Sequence, residues 1–299
     1  MNLFNSAVVA ILPLLPKSFV SLFSGRYIAG ETLEDAVKTI IQLNKQNIMA
    51  TQDLLGENIT RKEEATQDKE MWFTILDAIE KNKLDSNISI KLTQLGLKLD
   101  KEFCFENVRE IVEYADRYKN FVRIDMEDST CTDDTLDILY RVRRDFTNVG
   151  IVIQAYLKRS EQDLKELTSQ GINVRICKGI YNEAPEIAFK KPEEIRQNYL
   201  RLLMIMFDRK CYVGIATHDR YLIEKAIEAI NTNAIPNDRY EFQMLLGVGD
   251  EYRTQLVQSG HRLRVYVPFG KDWFPYSLRR MKENPKVAGY VIKNLFKKI

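Results

Sequence analysis

Four side chains near the end of the sequence have types and spacing suited to holding an anion: Tyr276, Arg279, Arg280 and Glu283. Residues three and four apart on a helix lie side by side, so a helix over Trp273 to Asn284, closed by Pro285, projects all four from one face. Two guanidinium forks beside an aromatic ring make a clamp for a carboxylate. The same spacing describes a solvated basic turn paired with Glu283, and spacing alone does not choose between them.

Other charged residues stand where apolar neighbours predominate. Lys91 and Asp125 each interrupt an apolar run, and opposite charges on neighbouring strand ends can neutralise one another with or without a ligand. Glu127 is expected to begin the loop that follows. The stretch Val174 to Tyr181 brings Arg175, Lys178, Gly179 and Tyr181 together. Glycine there allows close backbone approach to a flat cofactor, and a fixed arginine can stabilise negative charge developing on it. Cys177, with no histidine near it in sequence, reads as a small core residue. Thr217-His218-Asp219 fits a hydrogen-bonding role better than a metal site, because the chain has only two histidines and no HxH or HExxH spacing. Gly247-Val248-Gly249 lacks the third glycine of a dinucleotide fingerprint and is a weak signal.

Eight short apolar or β-branched runs must position these groups: 48–55, 88–92, 122–126, 150–157, 174–178, 212–217, 240–246 and 263–267. Between them lie segments of helical periodicity, including 106–118, 132–146, 161–170, 193–207 and 221–230. Strand and helix in alternation predict a parallel (β/α)8 TIM barrel over residues 46–299, preceded by extra N-terminal helices in an arm of residues 1–45. No Pro-, Gly- or Ser-rich linker divides the chain, so one continuous domain is expected. Chemistry in such barrels sits at the carboxyl ends of the strands. Asp53, Lys91, Asp125, Gln154, Arg175, Lys178, His218, Asp219, Gln243 and Tyr266 all fall within or just beyond the runs.

A length of 299 residues accommodates that fold, and 44 basic against 42 acidic residues give a net charge of +2, with no electrostatic case for nucleic acid. Four cysteines without CxxC spacing argue against structural zinc or a disulfide framework and suit a reducing cytoplasm. The apolar start, Leu3 to Phe23, is broken by Pro13 and Pro16 and reads poorly as a spanning helix or a secretory signal. It is expected either to pack on the body or to make a shallow peripheral contact at the inner face of the cell membrane.

From about Glu31 to the C-terminus the sequence resembles the flavin-dependent proline dehydrogenase family, in its monofunctional bacterial form. Seven blocks carry the resemblance in order: Ile88 to Gly96, Arg123 to Ser129, Gln154 to Leu157, Arg175 to Tyr181, Ala216 to His218, Tyr240 to Gln243, and Tyr266 to Pro285. The resemblance implies a distorted (β/α)8 barrel whose last helix lies over the mouth. It places Arg279 and Arg280 on the carboxylate of L-proline with Lys91 as a further cation, and has Asp125 hold Lys91 and an arginine in position. It puts Tyr181, Tyr266, Tyr276 and Leu245 around the ring. The FAD positions it implies are Gln154, Arg175, Lys178, Gly179, Thr217, His218 and Gln243, with no metal. The implied reaction gives 1-pyrroline-5-carboxylate, passes electrons to a quinone, and leaves the product to a separate pyrroline-5-carboxylate dehydrogenase. Ile180 and Cys177 depart from the alanine and valine usual in the family, and Ile180 is expected to narrow the pocket. Tyr266 favours proline over hydroxyproline, whose dehydrogenases belong to the same family. Outside the family, lysines at strand ends also allow a lyase or aldolase that forms a Schiff base on Lys91 or Lys178.

Overall fold

The computed structural model describes residue 20 and residues 24–56 and 59–283, with side chains as far as Leu278. The eight expected runs are all strands: β1 (Met49–Leu54), β2 (Ser86–Ile90), β3 (Val122–Ile124), β4 (Val149–Gln154), β5 (Val174–Cys177), β6 (Val213–Ala216), β7 (Tyr240–Leu245) and β8 (Leu263–Phe269). They pair in sequence order, all in parallel, and β1 closes on β8 with Thr51 opposite Tyr266, completing a barrel. Closure leaves no edge strand, and both faces of β1 and β4 are buried along their whole length.

Helices α1 (Leu33–Asn44), α2 (Lys62–Lys81), α3 (Lys101–Arg117), α4 (Thr132–Val142), α5 (Ser160–Ser169), α6 (Pro192–Asp208), α7 (Arg220–Thr232), α8 (Asp250–Gln258) and α9 (Trp273–Glu283) follow the strands or precede them. Local chemistry fixes several starts. Thr32 and Asp35 form a reciprocal capping box at α1, Asp100 accepts from the amides of Glu102 and Phe103 at α3, and Pro192 opens α6. Asp100 explains why α3 begins at Lys101 rather than at the expected Glu106. The helices α2 and α8 were not singled out from sequence. The mean polarity of α8 is high and only Leu256 is buried on it, so its apolar face is hard to see.

The strands end earlier or later than their apolar runs in four places that matter. Lys91 and Asp125 are the first residues past β2 and β3 rather than interruptions within them, although the Asp125 amide still donates to Ile90 O at 2.9 Å. β4 stops at Gln154, and Ala155 to Leu157 turn aside, where Leu157 bridges to Ala188. β8 continues through Pro268 to Phe269, its edge covered by β1 with Pro268 opposite Asp53. The lower barrel interior is polar. Arg264 grips Glu241 through two bonds of 2.7 and 3.1 Å, and Tyr212 donates to the same carboxylate at 2.7 Å. Residues 1–19 and 21–23 of the expected N-terminal arm lie outside the described residues. Among the described residues no helix is long and apolar enough to cross a membrane.

Candidate active site

A cavity of about 590 Å³ opens at the carboxyl ends of the strands, within the range of small-molecule and cofactor pockets. Lys91, Asp125, Arg175, Tyr181, Leu245, Tyr266 and Tyr276 all line it, and so do Gln154, Lys178, Gly179, Thr217, His218 and Gln243. The side chains of Arg279, Arg280 and Glu283 lie outside the described residues. The backbone of α9 passes through all three after Tyr276, which is 6% exposed.

The floor is a charge network drawn from five strands. Lys91 Nζ donates to Asp53 and, at 3.3 Å, to the Tyr266 hydroxyl. Arg175 Nη2 meets Asp125 Oδ1 at 2.6 Å, Ser89 donates to the same oxygen, and Tyr266 donates to Asp125 Oδ2 at 2.8 Å. Asp125 does hold an arginine, as expected, but Lys91 stands 3.9 Å from it and has Asp53 as its nearer carboxylate. Lys91 follows β2, between β1 and β3 in the closed order, so both acids flank it.

The two acids differ electrostatically. Burial works against the charge on Asp125, but Arg175 and Lys91, with the bonds from Ser89 and Tyr266, hold it below the usual carboxylate range. Burial dominates at Asp53 and pushes its carboxyl up despite Lys91, with Asp125 adding to the rise. Such divergence is characteristic of sites that handle charge and protons. Burial also carries the Tyr266 hydroxyl well above its ordinary value, with Asp125 and Asp53 reinforcing it, so it stays a donor.

The wall beside the floor presents oriented amides. Gln154 Nε2 donates to the carbonyls of Met126 and Glu127 at 3.3 and 3.2 Å, which leaves Oε1 buried without a hydrogen-bond partner. Gln243 Nε2 donates to Glu241 Oε1 at 2.6 Å. His218 Nε2 accepts from the Leu245 amide at 2.9 Å, and Thr217 Oγ1 from the Asp219 amide at 3.1 Å. Lys178 reaches Asp219 at 3.2 Å. Glu127 lies in the loop, as expected, and accepts from the Thr93 amide at 3.0 Å. Among the described residues no group of three or more His, Cys, Asp or Glu side chains is placed to hold a metal ion.

Several sequence readings change in detail. Gly179 has φ +99°, but a Cβ there would meet the Tyr156 ring at 2.1 Å, so the close approach is to Tyr156. Ile180 borders the cavity, as expected of its position, and is 56% exposed, so it stands at the rim. Gly247 admits the Arg26 carbonyl, which a Cβ would meet at 1.9 Å, and has no need of a phosphate to explain it. Residues 24–30 lie along this side, with Arg26 Nε donating to Gly247 O and Ala29 to Pro268 O, both at 2.9 Å, and bring Tyr27 into the cavity wall. Tyr27 had no signal in the sequence, since it precedes the first strand by more than twenty residues and belongs to no motif. Asp53 had one, its position at a strand end beside β2.

A family model described as proline dehydrogenase matches residues 36–293. Proline dehydrogenase 1 of Bacillus subtilis subsp. natto is 38% identical over 273 residues, spanning 91% of this chain and 90% of that protein. Proline dehydrogenase of Deinococcus radiodurans is 33% identical over 277 residues, 91% of this chain and 89% of its own. Among solved structures, proline utilization A from Bdellovibrio bacteriovorus, inactivated by N-propargylglycine, superposes with a TM-score of 0.83 at 23% identity, covering 87% of this chain and 32% of that longer one. The barrel, the ordered blocks and the extent of these matches agree: the chain belongs to the proline dehydrogenase family.

Proposed function

We propose that this protein oxidises L-proline to 1-pyrroline-5-carboxylate with bound FAD and delivers the electrons to a quinone. The observation that carries the reading is the convergence of thirteen sequence-identified side chains or backbone positions on one cavity in a chain of this family. Residues 46–299 then form the catalytic barrel and residues 1–45 an arm. Gln154 supports a flavin in particular. Its amide nitrogen is committed to two carbonyls, so its buried oxygen suits a ligand that offers an N–H, as the imide edge of a flavin does.

When bound, FAD supplies the hydride acceptor. The protein's own residues orient and polarise. Lys91 stands ready for the proline carboxylate together with Arg279 and Arg280, while Tyr181, Leu245, Tyr266 and Tyr276 wall the ring. Arg175, fixed by Asp125, would offer a permanent positive charge to a bound flavin, whose reduced form carries more negative charge. Lys178, Gly179, Thr217, His218 and Gln243 would complete the set of residues that hold it. A Schiff-base role for Lys91 fits less well, because its ammonium is held between Asp53 and Asp125 and the nucleophile must be neutral. The protein acts in the cytoplasm, with the quinone reached by peripheral contact at the membrane face and the product passed to a separate dehydrogenase.

The absorbance spectrum of the purified protein tests cofactor and substrate together. A yellow protein whose flavin bands bleach on adding proline is expected. A colourless protein that FAD does not reconstitute rules the proposal out.

A further inference from the structure

Charge is distributed unevenly over the cavity. On its floor, Lys91 and Arg175 face Asp53 and Asp125, two cations to two carboxylates. At the mouth, two cations share one carboxylate. Lys178 Nζ lies 3.2 Å from Asp219 Oδ2, Arg196 Nε lies 2.9 Å from the same oxygen, and Arg196 Nη2 lies 3.2 Å from Oδ1. The Asp219 side chain is only 8% exposed, against 44% for Lys178 and 33% for Arg196. Burial opposes its charge, but the bonds from Arg196 and Lys178 outweigh burial and keep it ionised.

Arg196 comes from α6 and is not part of the cavity lining, while Lys178 and Asp219 are. Its guanidinium is braced on the far side by the Tyr221 ring, 5.4 Å away. Glu193 also stands 3.4 Å from Arg196 Nη1, but at 71% exposure its charge is screened by solvent and salt. Without Arg196, the charges of Asp219 and Lys178 would cancel. With it, the carboxylate is already satisfied by a planar two-pronged partner, and the half-exposed ammonium of Lys178 retains its charge for a ligand.

We propose that Arg196 is a positioning residue which, by neutralising Asp219, turns the cavity mouth into an anion subsite where Lys178 holds a phosphate-bearing part of the ligand. The inference rests on the reading of the cavity as a flavin site and identifies the diphosphate of FAD as the group bound there. A flavin without phosphate gains nothing from this arrangement.

The full-length chain, titrated with FAD and separately with riboflavin, tests the proposal. Arg196→Met is expected to weaken FAD about ten- to hundredfold, the range for losing a hydrogen bond to a charged group, and to leave riboflavin affinity unchanged. FAD binding to the variant should also depend less on salt, and Arg196→Lys should restore most of the affinity. Equal weakening of both flavins would make Arg196 merely structural and overturn the proposal, as would unaltered FAD binding. A wild-type chain that binds riboflavin as tightly as FAD overturns the subsite while leaving the flavin reading in place. One that binds neither flavin overturns both.

Discussion

Tyr266 on β8 donates its hydroxyl hydrogen to Asp125 beyond β3, 2.8 Å away across the barrel mouth, and so links two strands that do not pair. The same hydroxyl takes a bond from Lys91 at 3.3 Å, and the ring lies 5.3 Å from the Arg175 guanidinium. One phenol thus touches both cations of the floor and the acid that Arg175 requires. Packing alone would not demand a hydroxyl at this position.

Removing that hydroxyl isolates its contribution. Tyr266→Phe keeps the ring and takes the tyrosine donor from Asp125 Oδ2 in a buried setting, at a cost of about 1 to 3 kcal/mol. The catalytic efficiency with proline is expected to fall about tenfold or more by the same energy, while flavin content stays at the wild-type level. Steady-state kinetics with an artificial acceptor would measure it. An efficiency equal to wild type would remove the hydroxyl from the floor network.

The carboxylate clamp assigned to α9 makes a separate prediction. Residues 279 and 280 follow Tyr276 by three and four positions on a continuous helix, and Tyr276 lines the cavity. Arg280→Met should lose roughly 2 to 5 kcal/mol of substrate stabilisation, the range for truncating one side of a buried charge pair. The loss should appear in binding of proline and of its ring analogues that keep the carboxylate. Analogues without the carboxylate should show no difference between the two proteins, and a difference there would refute the clamp.

The fold was largely legible because parallel strands buried on both faces leave short apolar runs, and eight such runs with helical spacers leave few topologies. Site residues at strand ends, such as Gln154, Arg175 and Gln243, were legible for the same reason. Partners across the barrel were not. Lys91 was matched with Asp125 because both interrupt apolar runs, whereas the closed order β1, β2, β3 sets it between Asp53 and Asp125, and the nearer contact is with Asp53. Glycines show the same limit. A Cβ on Gly179 would meet the Tyr156 ring and one on Gly247 a backbone carbonyl of Arg26, neighbours from distant segments that no local pattern encodes. The contribution of Tyr27 depends on tertiary packing alone.

Gly179 can be tested against another glycine of similar backbone sign. Gly179→Ala must accommodate φ +99° and a methyl 2.1 Å from the Tyr156 ring, where Gly171→Ala meets φ +65° and open space. Left-handed strain alone should cost Gly171→Ala about 1 to 2 kcal/mol. Overpacking should bring Gly179→Ala to about 2 to 5 kcal/mol. Chemical denaturation of the two variants would separate these terms, and equal losses would show that Tyr156 moves aside freely.

A final prediction concerns pH and lies outside the cavity. Asp68 on α2 has its carboxyl pushed up from 3.8 to about 6, first by burial and then by Asp272 and Glu64, against a lowering influence of the nearby Gln94 amide. Gly56 sits among these groups, its missing Cβ only 3.0 Å from Gln94 Nε2 and within 4 Å of the Asp272 and Asp68 carboxylates. Because the folded state holds this proton more tightly than the unfolded chain, stability falls as pH rises from the unfolded value through about 6 and then levels. Asp68→Asn removes the titration but keeps the shape. The variant should melt with the wild type at acidic pH, where both side chains are neutral, and at a higher temperature above pH 6. Thermal unfolding across that interval checks the sign. A wild-type protein that gains stability relative to Asp68→Asn as pH rises would mean that the charged carboxylate is the favoured form, held by a partner stronger than Gln94.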